Sequence, residues 1–522
     1  MADTAAEARK DTLDKDLDKI VYVEEATSFV ARGLVAPGLG LLFLALSAVA
    51  ASLFVFGEPR AVIIIAAAAI GAYMALNIGA NDVANNVGPA VGAKALTMGG
   101  ALAIAAIFET AGALIAGDDV VSTISSGIVD PATIADPNVF IRLMMAALIS
   151  SALWVNLATW IGAPVSTTHA VVGGVVGSGV AAAGFAAVDW HVMGGIAASW
   201  VISPVLGGIV AAAFLAFVKS AIIYQDDKIT AARRWVPLLI AIMAGSFAAY
   251  LATKGLKNLV DLSGFHIALF GLASFVIVWV LAHFGVRRQS EGMENRNQSL
   301  RKLFNIPLIF SAALLSFAHG ANDVANAVGP LAAIVHTASD SDVASSVQIP
   351  LWVMLIGAAG ISIGLILFGP KLIRMVGEQI TKLNPMRAFC VALSAAITVI
   401  VASWFGLPVS STHIAVGAVF GVGFFREWYT AKSPRRRRYL ERKMERLRVE
   451  RSANGIEPAE IAAETEDESD GADAPPISRE EINRRRLVRR AHVTTIVAAW
   501  VTTVPASAIL SGLVFLVLNA LA

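Results

Sequence analysis

Cysteine and charge are both scarce in this chain, and each shortage narrows the class of protein. Cys390 is the single cysteine among 522 residues, so no disulfide can form within one chain. Its apolar neighbours favour a small, buried side chain. Charged residues make up 15% of the sequence, whereas ordinary globular proteins have about a quarter. The net charge is only +1, which gives no sign of a nucleic-acid partner, and none is predicted.

Sequence signatures of ATP hydrolysis and of common catalytic sites are missing as well. No Gly-x-x-x-x-Gly-Lys-[Ser/Thr] loop occurs, so a fused ATPase is not supported. Neither a Cys/His metal spacing nor a Ser-His-Asp arrangement stands beside His169 or His413. We therefore predict that the chain is not an enzyme and needs no cofactor and no structural metal. A membrane phosphotransferase that uses one of these histidines is the alternative from the enzyme class.

Apolar sequence is abundant instead, at 57% of the residues, and it comes in blocks of about 20. An α-helix needs that length to cross a bilayer. Thirteen blocks can be delimited, at about 34–56, 61–78, 95–116, 140–162, 165–187, 192–218, 235–252, 264–285, 303–320, 349–369, 387–407, 409–425 and 492–518. The sequence predicts an all-α polytopic membrane protein with about 12 to 13 membrane segments.

The charges in the connecting loops predict how these blocks are oriented. Lysine and arginine collect at about 219–234, 287–302 and 371–382 and in a longer stretch at 426–490, whereas 118–139 is acidic. Thirteen crossings from a cytoplasmic N-terminus place every basic loop inside, as the positive-inside rule requires.

One stretch occurs twice and divides the chain into two repeats. Residues 79–89 read GANDVANNVGP and residues 320–330 read GANDVANAVGP, so that only Asn86 and Ala327 differ. The copies are offset by 241 residues, and an odd number of blocks separates them. The two halves are therefore predicted to be inverted-topology repeats, a recurring plan of secondary transporters.

A second motif follows each copy and supports the same division. Residues 164–169 read PVSTTH and residues 408–413 read PVSSTH, at an offset of 244, and glycines recur after both. Trp200 and Trp500 are offset by 300, so the second half has gained an insert of about 56 residues. The proline and glycine residues around the motifs predict broken or re-entrant helices.

These patterns predict the following organisation. The chain has a cytoplasmic polar arm (1–33), an extra N-terminal membrane helix (34–56), a first transporter repeat (61–218), connecting helices and loops (219–302), and a second repeat (303–518) interrupted by a cytoplasmic charged insert (426–490).

Two amides and a carboxylate recur in the first motif at membrane depth, where such groups are costly and are functional candidates. Asn81, Asp82 and Asn85 recur as Asn322, Asp323 and Asn326. Their oxygens are hard donors suited to Na+ or another small hard cation. Glycines and a proline bracket each motif, which predicts weakened helix ends and free carbonyls there. A polar clamp between helices is the structural alternative.

Hydroxyl side chains open the helix that each second motif predicts. They are Ser166, Thr167 and Thr168 in the first repeat and Ser410, Ser411 and Thr412 in the second. A helix N-terminus carries free N–H groups and a positive partial charge, so it favours anions. We predict a tetrahedral oxyanion between the two termini; capping of ordinary helices is the alternative.

Three further ionisable residues are candidates. His169 and His413 end the two second motifs and are placed to contact the anion or to move a proton. Glu109 lies within an apolar block, and Gly357 is taken as its counterpart in the second repeat. An unpaired carboxylate within a membrane segment is a candidate for the path of a coupling ion. The structural alternatives are a carboxyl group hydrogen-bonded to a neighbouring helix and histidines that only make structural hydrogen bonds.

The two duplicated motifs resemble those of the inorganic phosphate transporter (PiT) family, over about 61–218 and 303–518. That family consists of secondary transporters that import inorganic phosphate with Na+ or H+; some bacterial members carry metal–phosphate complexes, and some relatives carry sulfate. The resemblance implies that the hydroxyl residues, together with Asn81 and Asn322, bind phosphate. It also implies an ion role for Asp82 and Asp323, and Glu109 matches a glutamate that family members use. The extra block at 34–56 and the late insert depart from the common pattern.

The predicted function is import of inorganic phosphate by symport with H+ or Na+, with alternating access at a midplane site formed by both repeats. A permease for a related oxyanion such as sulfate and an anion channel are the alternatives. The predicted partners are phosphate, alone or as a metal–phosphate complex, the coupling cation and the lipid bilayer of a bacterial inner membrane. A second copy of the chain, in a homodimer, is the further partner considered.

Overall fold

The computed structural model describes residues 34–130, 133–134, 136–163, 165–255, 262–340, 342–343, 347–375, 383–434, 437–439, 442 and 490–521. The predicted polar arm at 1–33, Pro164 and the part of the charged insert at 443–489 lie outside these residues.

The described chain is helical almost throughout. Its helices are α1 (Leu34–Phe54), α2 (Ala61–Asn81), α3 (Ala84–Gly92), α4 (Met98–Ala116), α5 (Asp118–Ser122), α6 (Pro137–Ile161), α7 (Thr167–Ala183), α8 (Trp190–Val218), α9 (Lys228–Lys254), α10 (Gly264–Gln289), α11 (Asn297–Leu303), α12 (Asn305–Asp323), α13 (Ala325–Asp340), α14 (Leu351–Met375), α15 (Pro385–Trp404), α16 (Ser411–Lys432) and α17 (Arg490–Ala520). Within the described ranges, Val129 and Val188 form an isolated β-bridge.

Eleven helical stretches of the described chain are long and apolar enough to cross a membrane. The prediction of an all-α polytopic membrane protein is thereby confirmed. The count is lower than the thirteen predicted blocks because the two helices after the second motifs do not qualify. Helix α7 has 17 residues, and α16 starts with Ser411-Thr412-His413 and carries Arg426 and Glu427 further on.

Capping side chains fix where many of these helices begin. At each such N-cap a side-chain oxygen accepts a backbone N–H of the first turn, which would otherwise have no partner in the helix. The caps are Thr97 (α4), Asp136 (α6), Ser166 (α7), Asp189 (α8), Asp227 (α9), Asn384 (α15) and Ser410 (α16).

The first motif interrupts a helix in each repeat, and the interruption lies at the aspartate. Asp82 and Val83 separate α2 from α3, and α12 ends at Asp323. Near the first break, Asn85 N–H donates to Asp82 O at 3.0 Å, a tight i to i+3 turn. The prediction that the motif's terminal glycines and proline would weaken the helix is wrong about the place, because Pro89 lies inside α3.

The two repeats pack against one another reciprocally. Helix α2 of the first repeat packs on α14 of the second, and the equivalent α12 packs on α4. Likewise α7 packs on α17, and α16 packs on α8. This exchange is the pattern that two repeats related by a pseudo-two-fold axis produce. The opposite membrane orientation of the repeats stays a prediction.

Glycines allow the helices of the two repeats to approach at backbone distance. A Cβ atom on Gly79 would collide with the carbonyl of Ile361, and one on Gly320 with the carbonyl of Glu109. The glycines that follow the second motifs act in the same way, since Gly177 faces the backbone of Ala508. Close packing therefore holds Gly79 and Gly320 inside continuous helix.

Candidate functional site

The first asparagine of each motif hydrogen-bonds to the end of the preceding long helix, α6 or α15, and to the loop that connects this helix to the second motif. Asn81 Nδ2 donates to Thr159 Oγ1 at 2.9 Å and to Ala163 O at 3.3 Å. Asn322 Nδ2 donates to Ser403 Oγ at 2.9 Å and to Leu407 O at 3.1 Å. Both partners are shifted by the same 244 residues, so the two repeats build the same local structure.

The second asparagine of each motif reaches into the opposite repeat. Asn85 Nδ2 donates to Thr412 Oγ1 at 2.9 Å. In return, Asn326 Nδ2 donates to Thr168 Oγ1 at 3.1 Å and to Thr167 Oγ1 at 3.2 Å. Residues more than 150 positions apart thus meet at one site, which contains elements of both repeats.

The two motif aspartates lie together in the interior. Ligand atoms of Asp82, Asp323 and His319 are within 4.8 Å of one another, and the three residues are at most 2% exposed. Asp82 Oδ2 accepts from Thr167 Oγ1 at 2.6 Å, and its Oδ1 accepts from Thr412 Oγ1 at 3.4 Å. The equivalent bond in the second repeat is longer: Ser411 Oγ donates to Asp323 Oδ2 at 3.4 Å.

The serines of the second motifs cap helices α7 and α16. Ser166 Oγ accepts the His169 N–H at 3.1 Å, and Ser410 Oγ accepts the His413 N–H at 3.3 Å. A hydroxyl that accepts in this way keeps its own proton for donation. The first N–H groups of each helix have no intrahelical acceptor. Both termini therefore combine a capped start with donors suited to an anion.

The two motif histidines meet between the repeats. The ring centroids of His169 and His413 are 4.4 Å apart in an edge-to-face arrangement, and His169 also packs on Trp200 at 3.9 Å. Trp200 Nε1 donates to the carbonyl of Pro408 at 3.1 Å. The structure thus brings both predicted histidines together, while their proposed contact with an anion or proton stays a prediction.

A buried polar chain joins the aspartates to Glu109 and includes two residues that sequence reasoning missed. Asn86 Nδ2 donates to Glu109 Oε1 at 2.8 Å. Glu109 Oε2 lies 2.7 Å from His319 Nδ1, and His319 Nε2 lies 3.0 Å from Asp323 Oδ2. His319 directly precedes the second motif, four residues before its aspartate, and Asn86 is the one position where the copies differ. These two features of the sequence could have identified His319 and Asn86 as candidates.

The counterpart of Glu109 in the second repeat is Ile361, so the sequence-based match to Gly357 is wrong. Gly320 packs on the carbonyl of Glu109 just as the equivalent Gly79 packs on that of Ile361. The segment between the first motif and helix α4 differs in length from the equivalent segment before α14. A single offset taken from the motifs therefore does not align Glu109 with its counterpart. Glu109 nevertheless remains without an acidic counterpart.

Three oxygen atoms of the site are buried and accept no hydrogen bond from the described residues. They are Asn81 Oδ1, Asp323 Oδ1 and Asn326 Oδ1. Buried polar atoms normally have partners, so these oxygens are candidates for ligands to a cation.

Three lysine and arginine side chains are buried in the part of the chain that the structure describes. They are Lys219, Lys228 and Arg387. Arg387 and Ser403 are 16 residues apart on α15, about 24 Å along the helix. Arg387 is therefore distant from the site, whereas the part-buried Lys254 lies over the ring of Trp404, beside Ser403. An anion at the helix termini would also meet the buried carboxylates, and a bound cation would offset their repulsion.

These features define a multi-pass α-helical membrane transporter with one polar site between two repeats. The chain belongs to the phosphate transporter family, whose model matches residues 78–511. It is 47% identical over 528 residues to a protein of Helicobacter pylori named "Putative phosphate permease", covering 97% of this chain and 99% of that one.

More distant relatives and a solved structure agree with this placement. A Pyrococcus furiosus protein also named as a phosphate permease is 37% identical over 357 residues, which cover 68% of this chain and 86% of the relative. The solved structure described as "The sodium-dependent phosphate transporter" matches with a TM-score of 0.73 and 33% identity. The match covers 88% of this chain and all of that chain.

Proposed function

We propose that this protein imports inorganic phosphate by symport with Na+, across a bacterial inner membrane, and that the site between the repeats binds both. The observation that carries the proposal is the coexistence of two anion-suited helix termini with buried carboxylates and unpartnered oxygens. A phosphate and two carboxylates in one water-poor site repel one another strongly unless cations are bound with them. Binding of the two ions is therefore linked, which is the requirement for symport.

The donor set supports Na+ over H+ as the coupling ion. Asn81 Oδ1 and Asn326 Oδ1 are amide oxygens, which ligate a hard cation but are too weakly basic to hold a proton at neutral pH. The name of the solved relative, a sodium-dependent phosphate transporter, points the same way. A proton-coupled mechanism would need only the carboxylates and would leave these buried oxygens without a role.

The reciprocal packing of the repeats supports alternating access as the transport mechanism. Since each repeat supplies hydrogen-bond donors to the other at the site, rocking of one repeat against the other would open and close both halves together. Secondary transporters built from repeats work in this way around a fixed site. Asn85–Thr412 and Asn326–Thr168 are the contacts that such a movement must conserve or exchange.

The test is uptake of radiolabelled phosphate by purified protein in liposomes, with Na+ and pH gradients imposed separately. We expect uphill uptake with an inward Na+ gradient and none with an equal K+ gradient. Uptake driven by a pH gradient alone would replace Na+ with H+ as the coupling ion. Excess sulfate should not compete; equal competition would change the assigned substrate. Counterflow of internal phosphate should stimulate entry, and its absence would favour the channel alternative.

A further inference from the structure

The polar chain Asn86–Glu109–His319 exists in only one of the two halves of the site. The repeat offsets place Ile78 at the position of His319 and Ala327 at the position of Asn86, and Ile361 matches Glu109. All three counterparts are apolar. Elsewhere the two halves share their asparagine and hydroxyl contacts. The hydrogen-bonded series Asn86–Glu109–His319 therefore contacts Asp323 and has no equivalent at Asp82.

The geometry points to a binding site for a divalent transition-metal cation, formed by Asp82, His319 and Asp323, with Glu109 and Asn86 as positioning residues. This inference rests on the proposed function, because the same aspartates are there assigned to Na+. It adds a nitrogen ligand, which Na+ does not favour and which zinc, cobalt, nickel and iron do.

The orientation of His319 is the one found for histidine ligands of metals. Such a histidine usually gives its second ring nitrogen to a carboxylate, which fixes the ring and raises the basicity of the coordinating nitrogen. Here His319 Nδ1 lies 2.7 Å from Glu109 Oε2, and Glu109 is itself held by Asn86 at 2.8 Å. His319 Nε2 is thereby directed at the aspartates.

The distances and the unpartnered atoms suit a metal ion. Bond lengths near 2.1 Å place tetrahedral ligand atoms about 3.4 Å apart, and His319 Nε2 and Asp323 Oδ2 are already 3.0 Å apart. The ligand atoms lie within 4.8 Å, so Asp82 must move by at most about 1.4 Å to complete the set. Asp323 Oδ1, fully buried and without a hydrogen-bond partner, is a second oxygen available to the metal.

Charge also favours a divalent ion at this place. Asp82, Asp323 and Glu109 bring three buried carboxyl groups to the surroundings of one imidazole. A buried charge needs a counter-charge or a metal. A single divalent cation held by His319 would offset two of the three carboxylates.

The test measures metal binding rather than transport. Purified full-length protein is titrated with Zn2+ by calorimetry, and with Co2+ by visible absorption, which reports nitrogen and oxygen ligation directly. We expect one metal per chain. His319→Gln should weaken Zn2+ binding at least tenfold, and Glu109→Gln by about 10- to 100-fold, as is usual for groups that orient a metal ligand. Asn86→Ala should have a smaller effect and alter the Co2+ spectrum.

Two features keep the experiment decisive. Asn86→Ala makes the first motif identical to the second, so the altered motif is one that the fold already accommodates. His336→Gln is the matched control, because His336 Nδ1 pairs with Asp340 Oδ2 at 2.8 Å in the same i, i+4 relation but is partly exposed. Loss of binding in His336→Gln with retention in His319→Gln would overturn the inference, as would the absence of Zn2+ binding by the wild-type protein.

Competition with Na+ separates this inference from the proposed function. Raising Na+, but not K+, should weaken Zn2+ binding if both cations use the aspartates. If Zn2+ binding depends on His319 but ignores Na+, the metal site stands and the placement of Na+ is wrong. If Na+ drives phosphate uptake while His319→Gln leaves Zn2+ binding unchanged, the transporter proposal stands and the metal site is refuted.

Discussion

Replacement of the two capping serines by glycine separates a structural role from a role in anion binding. Ser166 and Ser410 each accept a backbone N–H of their own helix, so alanine would remove a cap and a hydroxyl at once. Glycine at an N-cap costs only a few tenths of a kcal/mol, against about 1 kcal/mol for alanine. The loss of phosphate affinity in Ser166→Gly and Ser410→Gly therefore reports the hydroxyl group.

The expected magnitude follows from the chemistry of the bond. A hydroxyl that donates to a charged phosphate oxygen contributes about 1–3 kcal/mol, which is about a 5- to 150-fold change in affinity. The half-saturating phosphate concentration for uptake should rise by that factor in each single variant. It should rise further in the double variant, because the two helix termini come from different repeats and bind one anion together.

Thr97→Gly is the control for this experiment. Thr97 Oγ1 caps α4 by accepting the Gly100 N–H at 3.2 Å, in a region outside the site. The variant should show the same small loss of thermal stability and an unchanged response to phosphate. If half-saturation stays within about twofold of wild type in both single serine variants and in the double, the anion does not bind between α7 and α16.

Three more predictions concern the aspartates, the helix packing and the charged insert. Asp82→Asn and Asp323→Asn should each abolish Na+-driven phosphate uptake, since loss of a charge about 4 Å from a cation removes about 4 kcal/mol at an effective dielectric constant of 20; wild-type uptake by both at equal reconstitution would contradict the cation role. Gly320→Ala should lower the free energy of unfolding by about 1–3 kcal/mol, because its Cβ would collide with the Glu109 carbonyl. Gly99→Ala, with open space around its Cβ, should leave the free energy of unfolding unchanged. Deletion of 452–478, an acidic stretch with no counterpart in the first repeat, should leave uptake intact; inserted protein that fails to transport would make it part of the core machinery.

Much of the fold could be predicted from the sequence because a bilayer restricts the length and composition of a spanning helix. A spanning helix needs about 20 apolar residues, and the blocks that predict α1, α2, α4 and α6 coincide with helices in the structure. The helix counts differ at α7 and α16, where hydroxyl, glycine and charged residues interrupt the apolar pattern. Hydropathy cannot distinguish a short helix that enters the protein interior from one that spans the membrane.

Individual residues of the site could be predicted because their motifs occur twice in the sequence. Asp82 and Asp323, and the hydroxyls at 166–168 and 410–412, stood out since a polar group at membrane depth seldom recurs by chance at matching positions of two repeats. The closeness of Asp82 and Asp323 also agrees with the expectation that both repeats form one site. What each residue binds stays a prediction.

Sequence by itself determined the class of this protein, its two repeats and the residue types of its site, because those follow from local composition and repetition. Only the tertiary structure decided which residues meet. His319 looked like an ordinary residue before a motif until the packing of α12 on α4 put it against Glu109. Asn86 looked like a neutral difference until its amide was found on the same carboxylate. Contacts between helices that are hundreds of residues apart depend on packing and not on spacing along the chain, which is why the asymmetry of the site appears only in three dimensions.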